Sequence, residues 1–139
     1  MAKNTQLTNL AVNTEADALA RLLDGGWCDI YDGTQPATGD TAISTQVKLA
    51  HLGFNGTSAP AAVAGVLTMN AMTADSAADA TGTAAWARCY KADTTTAVMD
   101  CSVGIAAANI IMNTVLISAN ANVSISSFTH TVAKSTAGS

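Results

Sequence analysis

Ionic side chains are scarce in this chain: Asp, Glu, Lys and Arg make up 12% of 139 residues, against about 25% in an ordinary soluble domain. Bulky aliphatics are scarce too. Hydrophobic residues reach 49%, but 29 of them are alanine, and Leu, Ile, Val and Phe together number only 27, close to the level associated with disorder. Disorder also requires high net charge, and here the formal charge is −4 with a mean hydropathy of +0.27. The chain is therefore expected to fold, as a single domain large enough to bury a core, with little surface charge to keep it apart from other proteins.

Other absences narrow the function. Six Lys and Arg spread along a chain of pI 4.7 form no basic stripe, which argues against a nucleic-acid partner. No apolar run approaches the length of a membrane span, so no membrane partner is expected. The polar start, Met1-Ala2-Lys3-Asn4-Thr5-Gln6, does not read as a signal peptide, and synthesis in a cytoplasm is expected. Cys28, Cys89 and Cys101 are odd in number and have no close-spaced pair, so buried free thiols are expected in place of a disulfide framework or zinc ribbon. His51 and His130 are the only imidazoles. Neither has a second ligand at metal-binding spacing, and no serine sits in a nucleophile elbow. No catalytic residue, metal or cofactor is expected, and the chain is read as a non-enzyme.

What is present is a short helix and many strands. The segment 1–13 reads as an N-terminal arm carrying Leu7, Leu10 and Val12. Thr14 then supplies a cap with Asp17 three residues on, and Ala16, Leu19, Ala20 and Leu23 recur at helical spacing until Gly25-Gly26. Asp17 and Arg21, four apart, are expected to pair. Residues 27–31 alternate as a strand before an Asp32-Gly33 turn, residues 34–40 read as a loop, and residues 43–54 fit a strand better than a helix. Residues 66–73, 83–91, 97–103, 109–117 and 123–132 follow as strands. The second and third of these form a hairpin around Asp93, and the last has a bulge near Ser126. Trp86, Arg88 and Tyr90 fall on one strand face, where Trp86 and Tyr90 would pack the core or a partner, or form an aromatic platform for a sugar. Seven or so short strands in a chain with 19 threonines predict an all-β, antiparallel sandwich of jelly-roll type over residues 14–133, led by the short helix and followed by a flexible tail, 134–139.

Four phrases stand together in order: Ile30-Tyr31-Asp32-Gly33-Thr34-Gln35-Pro36-Ala37, the turn from Asp75 to Ala84 leading to Trp86, Val98-Met99-Asp100-Cys101-Ser102-Val103-Gly104, and Val123-Ser124-Ile125-Ser126-Ser127-Phe128-Thr129. Together they resemble small virion structural proteins of tailed bacteriophages and prophages, over roughly Ala18 to Val132. Relatives usually have glycine where Cys101 stands, and the arm varies among them, so neither inherits a role. The resemblance implies a capsid decoration, or cement, protein. Such a protein sits on the outer capsid surface, binds the major capsid protein, associates with itself as a homodimer or homotrimer, and stabilises the head against internal pressure. Uncharged surface and strand edges would make those contacts, with Leu7, Leu10, Val12, Trp86 and Tyr90 as the candidate partner-binding residues. The alternatives are a glycan- or host-surface-binding virion module and a tail or baseplate component.

Overall fold

The computed structural model describes residues 3–137. Met1, Ala2, Gly138 and Ser139, the outermost parts of the expected arm and tail, lie outside the described residues. The protein is mostly β, with one N-terminal helix. Its elements are β1 (Asn4–Gln6), α1 (Asn9–Leu23), β2 (Trp27–Tyr31), β3 (Lys48–Gly53), β4 (Val66–Thr68), β5 (Gly82–Thr83), β6 (Trp86–Tyr90), β7 (Ala97–Gly104), β8 (Ile110–Ile111), β9 (Leu116–Ile117), β10 (Ser127–Thr131) and β11 (Ser135–Ala137).

The helix starts at Asn9, five residues before the expected Thr14. Thr8 is its cap, accepting a hydrogen bond from the Ala11 N–H at 3.2 Å. Nothing between residues 9 and 13 breaks a helix, and starting early adds Val12 to the buried stripe Val12, Ala16, Ala20 and Leu23. Thr14 lies inside and donates its hydroxyl to the Leu10 carbonyl, the back-bonding expected of a mid-helix threonine. The polar side of α1 is also engaged. Asn13 and Asp17 accept from the Gly65 and Ala62 N–H groups at 2.7 and 2.8 Å, and Arg21 donates to the Ala59 carbonyl at 3.0 Å. Three side chains spaced four apart thus clamp the main chain over 59–65. Asp17 is therefore not the partner of Arg21, which bridges to Asp24 at 2.8 Å instead. Gly65, at φ +79°, must be glycine, since a Cβ there would lie 2.7 Å from the Val132 carbonyl oxygen and 3.0 Å from Val12.

Seven strands form one continuous hydrogen-bonded sheet in the order β3-β2-β6-β7-β8-β10-β4, and β1-β11 and β5-β9 are separate two-stranded ribbons. The sheet is antiparallel except for β7 and β8, which pair in parallel. The fully antiparallel expectation is corrected there. The 105–109 turn brings the chain back alongside itself, clipped by hydrogen bonds between Ser102 and Asn109. Several expected strands are shorter than their apolar pattern. Residues 109–117 divide into β8 and β9, and the phase change near Ser126 marks where β10 begins, not a bulge. The bulges lie at Ile30/Tyr31 and Cys89/Tyr90. Ser135–Ala137 of the expected flexible tail and Asn4–Gln6 of the expected arm are strands paired with each other.

The sheet is rolled. Phe54, just past β3, and Phe128 in β10 have ring centroids 5.9 Å apart, although four strands separate β3 from β10 in the order. A flat sheet would hold those strands about 24 Å apart at a spacing of about 4.8 Å. Ile30, Leu49, Leu52, Leu67, Ile110 and Phe128 fill the enclosed core with Ala16, Ala20 and Leu23 of the helix.

The roll also conceals the free edge of β3. Gly53 exchanges both main-chain hydrogen bonds with Thr73, the His51 N–H donates to the Asp75 carboxylate, and the Leu49 carbonyl accepts from the Asp79 N–H. Segment 73–79 is itself held from the far side, by Asp75 with Val123 and by Ala78 with Asn120 and Ala121. Association through the edge strands of the main sheet is thus hindered at β3, where the Gly53 N–H and C=O, the His51 N–H and the Leu49 C=O already have partners.

The helix start is directly testable. Thr8→Ala is expected to lower stability by about 1 kcal/mol through loss of the cap, and Thr14→Ala to leave it unchanged or slightly raised. Urea unfolding of the two variants measures both, and the opposite ranking would place the helix start at Thr14.

Candidate functional site

The richest arrangement of polar chemistry lies on the outer face of β3, β2, β6 and β7. Strand alternation puts Cys28, Ile30, Ala87, Cys89 and Cys101 towards the core and sends Trp27, Asp29, Tyr31, Trp86, Arg88, Tyr90 and Asp100 to the other side. Register then lines up one residue from each strand: His51 opposite Asp29, Asp29 opposite Arg88, and Arg88 opposite Asp100. Four titratable groups form a row across four strands.

The row is largely internal. Arg88 is 5% exposed, and its guanidinium meets Asp100 in two parallel bonds, Nε to Oδ1 at 2.7 Å and Nη2 to Oδ2 at 2.9 Å. Asp100 holds the Arg88 pKa above its ordinary value, and the cation also lies 5.5 Å above the Trp86 ring. Asp29, buried, hydrogen-bonds His51 Nδ1. His51 stacks on Trp27 with ring centroids 4.3 Å apart. Gly53 lies opposite Trp27, where even a Cβ would meet the indole only in ordinary contact, at 3.4 Å.

The long 32–47 segment joining β2 to β3 lies over this face. It takes the Trp86 indole N–H on the Asp32 carbonyl at 3.0 Å, and Gly39 approaches the Asp100 main chain. The segment is pinned at its ends by Val47 N–H to the Asp32 carboxylate and by Gln46 to the Thr34 carbonyl. It is more than twice the length of the 34–40 loop read from composition, because the strand expected from residue 43 begins only at Lys48.

The candidate residues are scattered. Trp86 is fully buried, stacked on Tyr31 at 4.7 Å, and presents no ring to a ligand. Burial, with Tyr90 beside it, pushes the Tyr31 phenol well above its ordinary pKa. Tyr90 is half-buried and opposite Trp27. Val12 is in the core, Leu7 is half-buried where its N–H meets the Lys134 carbonyl, and Leu10 is 78% exposed. Of the five, Leu10 is the residue free to meet a partner with its whole side chain. Val63, Leu116 and Ile105, more than 60% exposed, are additional contact candidates; Leu116 falls in the expected 109–117 strand, and Val63 and Ile105 fall between expected strands. The Asp29–His51–Trp27 group was also missed. Its three members lie on two strands joined by a long loop, so only the register reveals them.

Chemically the face is better suited to holding itself together than to reacting. The Asp29–His51 pair resembles half of a general-base arrangement, but no hydroxyl or thiol is bonded to His51 among the described residues. Nor does any group of three or more His, Cys, Asp or Glu stand where it could hold a metal ion, again among the described residues. The three thiols meet on the core side. Hydrogen bonds with Cys101 and Cys28, and then burial, push the Cys89 thiol well above its ordinary pKa, the opposite of an activated nucleophile. A cavity of about 350 Å³ lies elsewhere, lined by Met112, Asn113, Leu116, Ile117, Asn122 and their neighbours. It is uncharged and lacks aromatics. No family model matches the chain, and no curated protein or solved structure is significantly similar to it.

Two measurements test this account of the face. Asp100→Leu leaves Arg88 buried without its partner and is expected to cost about 3–5 kcal/mol, most of it regained when Arg88→Met is added. Equal losses in the single and double variants, read by denaturant unfolding, would refute the pairing. Burial lowers the pKa of His130, so the folded state binds its proton less readily than the unfolded chain. Stability is then full above the unfolded value near 6.5 and falls as pH drops below it. Melting temperatures between pH 7.5 and 5.5 should decline, and less steeply in His130→Gln.

Proposed function

We propose that the protein is a non-enzymatic virion structural component: a capsid decoration, or cement, protein. It docks on the outside of a tailed-phage head against the major capsid protein, associates with further copies of itself, and stabilises contacts between capsid subunits. The jelly-roll reading of the fold belongs to this proposal. A sheet that brings Phe54, beside its β3 edge, against Phe128 of β10, its sixth strand, buries its inner face much as two facing sheets would.

The observation that carries the reading is where the charge goes. A chain already poor in ionic groups places Asp29, Arg88 and the side chain of Asp100 inside, so thirteen of its sixteen Asp, Glu, Lys and Arg side chains are left for the whole outer surface. Small uncharged side chains and isolated exposed apolar groups such as Leu10, Val63 and Leu116 remain. Such a surface suits permanent protein contact more than freedom in solution, and its acidic balance disfavours DNA. The ordered phrases that resemble phage virion proteins agree with it. The glycan-binding alternative loses its main support because Trp86 is buried. A tail or baseplate location would use the same surface chemistry and differs only in the place of docking.

Reconstitution tests the proposal. Heads assembled without the protein should bind it to saturation at a fixed ratio to the major capsid protein and disrupt at a higher temperature once it is bound. Heads that ignore it, or bind it without gaining stability, would count against the cement role.

A further inference from the structure

With the β3 edge covered, the ribbon of β1 and β11 becomes the conspicuous open strand edge. It stands outside the seven-stranded sheet, and Asn4, Thr5, Gln6 and Ser135 are exposed. Its register pairs Asn4 with Ala137, Thr5 with Thr136 and Gln6 with Ser135, and the Leu7 N–H bonds the Lys134 carbonyl at 2.8 Å. Antiparallel bonding alternates, so Thr5 shares its main-chain bonds with β11, as Leu7 does, while the N–H and C=O groups of Asn4 and Gln6 point away. Among the described residues, no other segment bonds those outward groups. None of the usual edge guards is present within either strand. There is no proline, no charge and no bulge, and Lys3 and Lys134 stand outside the pairs. A two-stranded ribbon is marginal by itself and gains from further strands.

We propose that the occupant of this edge is the same edge of a second copy, so that β1 pairs antiparallel with β1 of its partner about a twofold axis at Thr5. The inference deepens the self-association in the proposed function and rests on it. The edge is self-complementary in this register. Asn4 faces the partner's Gln6 and exchanges both main-chain hydrogen bonds with it, and the second such pair follows by symmetry. The four outward groups are all satisfied. Thr5 meets the partner's Thr5 as a non-hydrogen-bonded pair, a favourable threonine contact, and Lys3 falls opposite the partner's Leu7, so no like charges are opposed. The result is a four-stranded sheet in the order β11-β1-β1-β11, shared between two molecules. The contact is small and is expected to be weak in dilute solution, gaining strength where copies are held at high local concentration.

The register predicts a specific cross-link. Non-hydrogen-bonded partners lie about 4.5 Å apart at Cα, within disulfide range, and the native cysteines are all buried. Thr5→Cys under oxidised glutathione should therefore form a covalent dimer about tenfold or more faster than a control cysteine at exposed Ser44. Adding Gln6→Pro, which removes an outward N–H but leaves the Thr5 bonds to β11, should reduce the rate to that of the control without changing the melting temperature. Cross-linking of Thr5→Cys at the control rate, or undiminished cross-linking with Gln6→Pro, would overturn the pairing. Titration of heads with Gln6→Pro protein is read separately: saturation with stabilisation there leaves the cement role standing even if the ribbon pairing fails.

Discussion

The closure of β3 by segment 73–79 is the constraint on which the arrangement depends. The rolled sheet draws its burial from a few larger inner side chains, Ile30, Leu52, Leu67, Ile110 and Phe128 among them, with only Ala50, Ala87 and Ala97 for alanine in its strands. Its long edge cannot be left to solvent or to chance partners. The chain meets this by returning after β4 and bonding Gly53 through Thr73, His51 through the Asp75 carboxylate, and Leu49 through Asp79. The same segment is tied to 120–123 on its other side. One crossing therefore joins the early strands to the late ones and encloses the core that Phe54 and Phe128 share.

The second economy is polar. Arg88 and Asp100 give up hydration, but each guanidinium bond to the carboxylate is short and parallel to the other. Among the described residues, no buried side-chain nitrogen or oxygen lacks a partner. A satisfied internal pair adds little net stability over a well-packed apolar substitute, although removing one partner alone is costly. It also keeps two ionic groups, Arg88 and the Asp100 side chain, out of contact with water. Helix α1 works the same way: its apolar stripe enters the core while Asn13, Asp17 and Arg21 hold the main chain of 59–65.

Local patterns made part of this legible. Trp27 to Tyr31 alternates cleanly and is β2 at those bounds. The turn around Asp93 forms as its composition suggests, with the Asp93 carboxylate accepting from Thr96 and Thr95 and held down to a pKa of about 2 by those bonds. The Cys28, Cys89 and Cys101 thiols are free and buried. Long-range features were not legible. Thr14 with Asp17 imitates a capping box, whereas the true cap, Thr8, has Ala11 at the reciprocal position and so carries no such signature. The apolar run 109–117 looks like one strand because hydrophobicity does not record that its two ends pair with different partners, β10 and β5. The row His51, Asp29, Arg88 and Asp100 draws on four strands, and the β1–β11 ribbon joins residues about 130 positions apart. Both depend on register, which no local window contains.

Native-state hydrogen exchange offers the most direct test of the closed edge. The amides of His51, Gly53, Thr73 and Asp79 should be protected to near the level of global unfolding, as interior strand amides are, while those of Asn4 and Gln6 exchange rapidly in dilute protein. Rapid exchange at His51 and Gly53 under the same conditions would mean that β3 is an open edge, and the account of how this sheet closes would be wrong.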